Sequence, residues 1–277
     1  MLTLEAVSYR YAGATRLSLR EVSLTLGEGE VVGVVGRSEA GKSTLCLVAS
    51  GLAPRTLGGT LRGRVLLDGA DSSGRAMHEM ARDVAIGFQN PGTQLSGVAT
   101  TVYEEVAFGP MNLGIARDEV LRRTESSIDA LAIGALRDRD PDLLSGGQQQ
   151  LVAIAGLLAL SPRHLILDEP TAQLDPAGTR LVSDAIKRLA GGGVSILIVE
   201  QKVDLLAGVC DRVIALDEGR VALDGAADQV LRDPALHAMG VAEPSGVRLR
   251  RLASEAGLAP EVIAGALRAE AWSSADG

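Results

Sequence analysis

The stretch VVGVVGRSEAGKST, residues 31–44, decides how this chain is read. Its first five residues, Val31 to Val35, form a short apolar run of the kind shown by a parallel strand buried on both faces. A glycine-rich turn and a helix follow at once. Gly36 to Thr44 satisfies G-x-x-x-x-G-K-[ST] in the context that gives the pattern meaning, strand before and helix after. Glycines let the backbone fold tightly around a phosphate, so that consecutive N–H groups and the helix N-terminus face it. Gly36, Arg37, Ser38, Glu39, Ala40 and Gly41 form this cradle. Lys42 reaches the β- and γ-phosphates, Ser43 offers its hydroxyl to Mg²⁺, and Thr44 supports the α-phosphate. Glu39 is the odd member. A carboxylate about 4 Å from phosphate, at an effective dielectric of 20, costs about 4 kcal/mol, so it is expected to turn to solvent or toward a basic neighbour.

Working outward, HLILDEP at 164–170 is an apolar strand that delivers two adjacent carboxylates at its C-terminal end, where ligands of open α/β sheets gather. Strand alternation sends them in different directions. Asp168 can hold a metal directly or through water, while Glu169 faces an attacking water as general base. Alone, Asp-Glu-Pro after a strand is a turn signal. Beside a phosphate loop it points to ATP hydrolysis. Between the two lies LSGGQ, comprising Leu144, Ser145, Gly146, Gly147 and Gln148, a second helix N-terminus able to receive phosphate.

The rest of the pattern alternates strand and helix. Residues 2–9 and 20–26 alternate like strands, 61–69 ends in an Asp-Gly turn, and 84–88 is another apolar run. Residues 117–136 carry a helical pattern, 148–160 a buried helix, 176–190 a helix, 194–199 a strand and 212–223 a pair of strands. Such alternation predicts a mainly parallel sheet. EPSG at 243–246 breaks the pattern ahead of an Ala-, Leu- and Arg-rich tail, 246–277, with a frayed end. Apolar residues make up 46% of the 277, enough for a packed core, and with aromatics at only 2% the core must be aliphatic. A net charge of -8 argues against a general nucleic-acid surface. Cys46 and Cys210 have no ligand-like spacing and read as buried thiols. The longest apolar run, Leu151 to Leu160, is half of the roughly 20 residues that cross a bilayer, so a membrane role must come through a partner. The strand-like N-terminus lacks the layout of a secretory signal, which predicts a cytosolic chain.

With the three motifs in hand, the chain resembles the ABC ATPase family over roughly residues 2–225. The resemblance implies an α/β fold: a P-loop NTPase core with a mainly parallel sheet, an antiparallel β subdomain and an α-helical subdomain at about 91–160. The ATPase domain then spans 1–230, with a C-terminal helical extension at 231–277. ATP and Mg²⁺ are the implied ligands. By resemblance, Tyr11 stacks on adenine, and Gln89 of FQNP touches Mg²⁺ and senses the membrane partner. LSGGQ contacts the γ-phosphate of ATP on the opposite subunit, and TAQLD at 171–175 couples the two sites through Asp175. A working site thus needs a head-to-tail dimer with a second ABC ATPase subunit, of the same or another chain. The dimer would sit peripherally at the cytoplasmic face of the membrane on an integral transporter subunit, with no nucleic-acid partner. FQNPGTQL, TVYEEVAFGPMNLG and IVEQKVD resemble the energy-coupling-factor importers. An exporter ATPase, a mechanical clamp outside transport and a binding-only module remain alternatives. The transported substrate is not encoded here.

Two positions depart from the family. Gln201 stands where a switch histidine is expected, and His78, His164 and His237 all lie elsewhere. Glutamine can donate to phosphate but cannot carry positive charge, which predicts slow hydrolysis at this site, with ATP there holding a dimer closed. Leu151 occupies a position usually filled by arginine.

Overall fold

Strands with no polar face must be covered on both sides, and here that requirement builds the molecule. The computed structural model describes residues 1–257. The strands are β1 (Leu2–Arg10), β2 (Leu19–Leu26), β3 (Val31–Val35), β4 (Thr60–Leu67), β5 (Ala70–Asp71), β6 (Val84–Gly87), β7 (His164–Asp168), β8 (Ser195–Val199), β9 (Arg212–Asp217) and β10 (Arg220–Ala226). The helices are α1 (Lys42–Ala49), α2 (Leu52–Arg55), α3 (Met77–Asp83), α4 (Val102–Asn112), α5 (Arg117–Ala130), α6 (Gly146–Ala159), α7 (Pro176–Gly191), α8 (Val203–Val209), α9 (Ala227–Val230), α10 (Pro234–Ala238) and α11 (Ser245–Glu255).

One sheet runs β10-β9-β3-β8-β7-β6, parallel from β9 to β6, with β10 antiparallel at its edge. Alternation sorts its residues. Val31, Val35, Leu165, Leu167, Ile196 and Ile198 pack into one core under the helices, whereas Val32, Val34, Ile166, Leu197 and Val199 pack into the other. That second core is closed by α1 and by an antiparallel sheet ordered β2-β1-β4-β5. On the first face α6 packs against α4, α5 and α7. All carboxyl ends of the parallel strands therefore open on one rim, where β3, β7 and β8 deliver their loops.

The helix expected over 117–136 stops at Ala130. Ala132 takes a left-handed φ of 56°, and the Ile133 N–H reaches back to the Ile128 carbonyl at 3.1 Å, the closing pattern of a helix end. Glycine usually announces such a stop, and alanine gave no signal. α4 lies outside the helices expected from the sequence, and Thr101 and Glu104 form a capping box ahead of it. Leu151 is buried in the helical core, so this position anchors α6 by packing rather than by charge. Both cysteines are free, and burial pushes their thiols up, Cys210 to about 12. Among the described residues no helix is long and apolar enough to cross a membrane. Of the tail, α11 is described, while 258–277 lie outside the described residues.

Candidate functional site

The loop after β3 turns into α1 at Gly41, whose φ of 101° is left-handed. A Cβ there would sit 2.5 Å from the Ser18 carbonyl, so glycine is required. Lys42 opens α1 and is buried; its ammonium curls back to donate to the carbonyls of Gly36 at 2.8 Å and Arg37 at 3.0 Å. Burial lowers its pKa, opposed by the charges of Glu169 and Asp168. The Ser43 hydroxyl donates to Asp168 Oδ1 at 3.1 Å, which joins the loop to the end of β7. Burial raises the Asp168 pKa; the Ser43 bond and Lys42 work against it, and Glu169 and Glu200 with it. An oxygen-rich pair of this kind, with Gln89 on the nearby wall, suits a hard divalent cation such as Mg²⁺.

Glu169 follows the strand in a left-handed conformation, φ 49°, and its N–H donates to the Val199 carbonyl at 2.9 Å. For a residue other than glycine this costs about 1–2 kcal/mol and persists only where the surroundings enforce it. The turn aims its carboxylate at β8. There the Gln201 amide donates to both oxygens of Glu169, at 2.8 and 3.0 Å.

These groups surround an open cleft of about 900 Å³. Arg37, Ser38, Glu39, Gly41, Lys42, Ser43, Thr44, Gln89, Glu169 and Gln201 all line it, so the phosphate loop meets the ends of β6, β7 and β8, while Gly36 and Asp168 stand behind the wall. Ala40 does not; its side chain is buried in the second core and only its backbone serves the loop. Glu39 is exposed with φ 65°, while Arg37 pairs with Glu218 at 2.9 Å. Tyr11 is not on the wall. Its hydroxyl lies 3.1 Å from Thr44 Oγ1 and its ring sits edge-on to Tyr9 at 4.9 Å. The wall instead holds Arg16, Leu17, Ser18 and Arg20, none of which the sequence flagged. Arg20 also has a buried Nε without a partner.

Leu144 to Gln148 lie away from this cleft. Ser145 caps α6 in a reciprocal box: its Oγ accepts from Gln148 N–H, and its own N–H donates to Gln148 Oε1 at 3.1 Å. Ser145 and Gly146 are exposed. Asp175 caps α7 by accepting from Gly178 N–H at 2.6 Å.

Residues 19–172, which carry the phosphate loop, the capped LSGGQ and the paired carboxylates, match the ABC transporter family as a whole. The chain belongs to that family. Its members are ATP hydrolases. The chain is 37% identical over 265 residues to a putative ABC transporter ATP-binding protein of Pyrococcus horikoshii, covering 95% of this chain and 93% of that one. It is 39% identical to an energy-coupling factor transporter ATP-binding protein of Symbiobacterium thermophilum, over 95% of this chain and 92% of the other. Among solved structures it is similar to cbiO1 from Clostridium perfringens, part of the ABC transporter complex cbiONQ. The TM-score is 0.75 and the identity 31%, over 90% of this chain and 98% of that one. It is also similar to a dimeric ATP-binding cassette in a post-hydrolysis state with ADP and Pi, with a TM-score of 0.67 and 27% identity over 82% and 99% of the two chains.

Proposed function

We propose that this ABC ATPase powers uptake by an energy-coupling-factor type importer, as one of two ATPase subunits held at the cytoplasmic face of the membrane by an integral transporter subunit. The observation that carries the reading is the split between cleft and signature. The cleft is lined by the phosphate loop, Gln89 and the base Glu169, whereas the signature lies away from it, with Ser145 and Gly146 exposed and so able to close the cleft of a second subunit. The Symbiobacterium relative and the cbiO1 likeness favour import over export.

The chain's own residues divide the work. Backbone N–H groups of 36–41 and the α1 N-terminus receive the phosphates, and Lys42 exchanges its two carbonyl partners for phosphate oxygens. Ser43, Gln89 and Asp168 would hold Mg²⁺, which when bound neutralises charge on the β- and γ-phosphates. Tyr11, beside Thr44, would meet adenine at the edge of the cleft. Glu169 takes the proton of the attacking water. Asp175 would link the two sites of a dimer through the loop that it caps.

The geometry around Gln201 supports reading this as a slow site. Both oxygens of Glu169 accept from one amide, which draws on the charge that makes the carboxylate a base for an attacking water. The amide brings no positive charge to the γ-phosphate in return. Co-purification from membranes tests the transport reading. A multi-spanning protein that travels with this chain and stimulates its ATP turnover is the expected result. A chain that turns over ATP equally well and never meets a membrane protein would exclude it.

A further inference from the structure

Glu200 is an acidic side chain that the ATPase mechanism does not use. It lies one residue past β8 and is 1% exposed. A buried carboxylate costs several kcal/mol unless its lone pairs are met. Four donors meet these. Oε1 accepts from the Thr171 N–H at 3.0 Å and the Thr171 hydroxyl at 2.6 Å. Oε2 accepts from the N–H groups of Gln201 at 3.1 Å and Lys202 at 3.3 Å. Its own N–H donates to the Val34 carbonyl at 3.3 Å, fixing it to the central sheet beside the phosphate loop.

Lys202 holds the same residue from the other side. Its ammonium donates to the Thr171 carbonyl at 2.8 Å and the Thr179 hydroxyl at 2.9 Å. Thr171, itself fully buried, is thus gripped on its N–H, its hydroxyl and its carbonyl by the two residues that flank Gln201. Gln201 meanwhile holds Glu169, two residues before Thr171. Three consecutive residues of the β8 exit therefore hold the β7 exit at two points, Glu169 and Thr171, on either side of Pro170. Satisfied buried networks of this kind are rigid.

We propose that Glu200 and Lys202 are positioning residues. Through Thr171 they fix the left-handed turn that aims Glu169 and the start of the loop running to Asp175, so that base, residue 201 and inter-site loop move as one unit. The proposal rests on the ATPase reading of the cleft. It assigns these side chains a task distinct from binding nucleotide, because none of Thr171, Glu200 and Lys202 lines the cleft.

The test separates turnover from affinity. Glu200→Gln keeps the size but replaces one acceptor oxygen by an amide donor, facing either the donors of Thr171 or those of 201 and 202. Thr171→Val removes only the hydroxyl, and Thr171→Ser keeps it. Lys202→Met, which retains the stem, serves as an independent probe should Glu200→Gln fail to fold. Steady-state and single-turnover ATP hydrolysis are measured for each, with Glu169→Gln as the reference for base-dependent rate. The expected result is kcat lowered about 10-fold in Glu200→Gln and Thr171→Val with KM for ATP within about twofold, since small misplacements of a base are costly. Lys202→Met should show the same split, Thr171→Ser should be close to wild type, and the 171/200 double variant should lose no more than either single one. A Glu169-dependent rate that is indifferent to positions 171, 200 and 202, or losses that are additive and shared with KM, overturns the inference alone. A wild-type rate that does not depend on Glu169 overturns the reading of the cleft and the inference with it.

Discussion

Two loops of this chain place a helix N-terminus where phosphate can bind, and they are built differently. The one before α1 lines a cleft with Lys42, Ser43, Gln89 and Glu169 around it. The one before α6 is exposed at Ser145 and Gly146, and satisfies its helix end from within through the Ser145–Gln148 box. The first gathers its groups around a cleft within a single subunit. The second has a hydroxyl hydrogen and helix-end N–H groups that lie outside that cleft, as the proposed closure on a partner's nucleotide would need. One serine, Ser145, thus caps its own helix while presenting the exposed position that the proposed dimer would use.

The largest expected effects separate the loops. Lys42→Ala should weaken ATP binding to the isolated subunit about 100-fold, as loss of charge-assisted bonds worth about 3 kcal/mol implies. Ser145→Ala should leave that affinity within about twofold and lose turnover instead. Equal losses of affinity in the two variants, read by titrating a fluorescent ATP analogue, would break the comparison. Mixing the two variants sharpens it further. Neither hydrolyses alone, but a mixed dimer pairs one intact phosphate loop with one intact signature, so random exchange should restore about a quarter of wild-type turnover.

Intermediate in size is a packing effect. A Cβ on Gly147 would lie 2.6 Å from the Gly178 Cα on α7, whereas one on Gly146 would meet only Leu174 Cδ2 at 3.4 Å. Gly147→Ala should therefore cost about 1–3 kcal/mol of stability and Gly146→Ala much less, measured by denaturant titration. The close approach of α6 and α7 is thus a second reason for glycine in the signature, independent of phosphate.

The smallest effect concerns β7, which supports the first loop through Asp168. His164 at its other end is buried with Nδ1 unpaired, and burial, then the N-terminal ammonium, push its pKa down to about 4 from 6.5. A histidine that protonates more readily unfolded than folded destabilises the fold as pH drops below 6.5, until its folded pKa is passed near 4. The loss at pH 6 should be just under about 1 kcal/mol and should be absent in His164→Leu. A pH slope that survives in the variant would assign the effect to another group. ATP affinity relative to folded protein should not follow it.

How much of this was legible follows from where the information lies. Val31 to Thr44 and His164 to Glu169 could be read because strand burial and site chemistry are local there, within one run of residues. The Arg16–Ser18 wall could not, since it meets the phosphate loop only after β1 and β2 fold over α1, and Glu218 and Gly219 reach the same cleft from the β9–β10 turn. The end of α5 was hidden because Ala132 adopts a conformation that glycine normally signals. Gln201 was legible as a departure, but its bond to Glu169 was not. That contact depends on the left-handed turn at Glu169, which no residue type in DEP announces. Nothing in the sequence singles out Glu200, and only the tertiary fold shows it buried against Thr171.

The central claim is that Gln201, by holding Glu169 and bringing no charge, makes this a slow ATP site. The most direct measurement is ATP turnover by the purified chain at saturating ATP and Mg²⁺, wild type against Gln201→His, with Glu169→Gln as the floor. The account predicts a low wild-type rate, still above that floor, and a rise of about 10-fold or more with histidine. A fast wild-type enzyme whose rate the substitution leaves unchanged would contradict it.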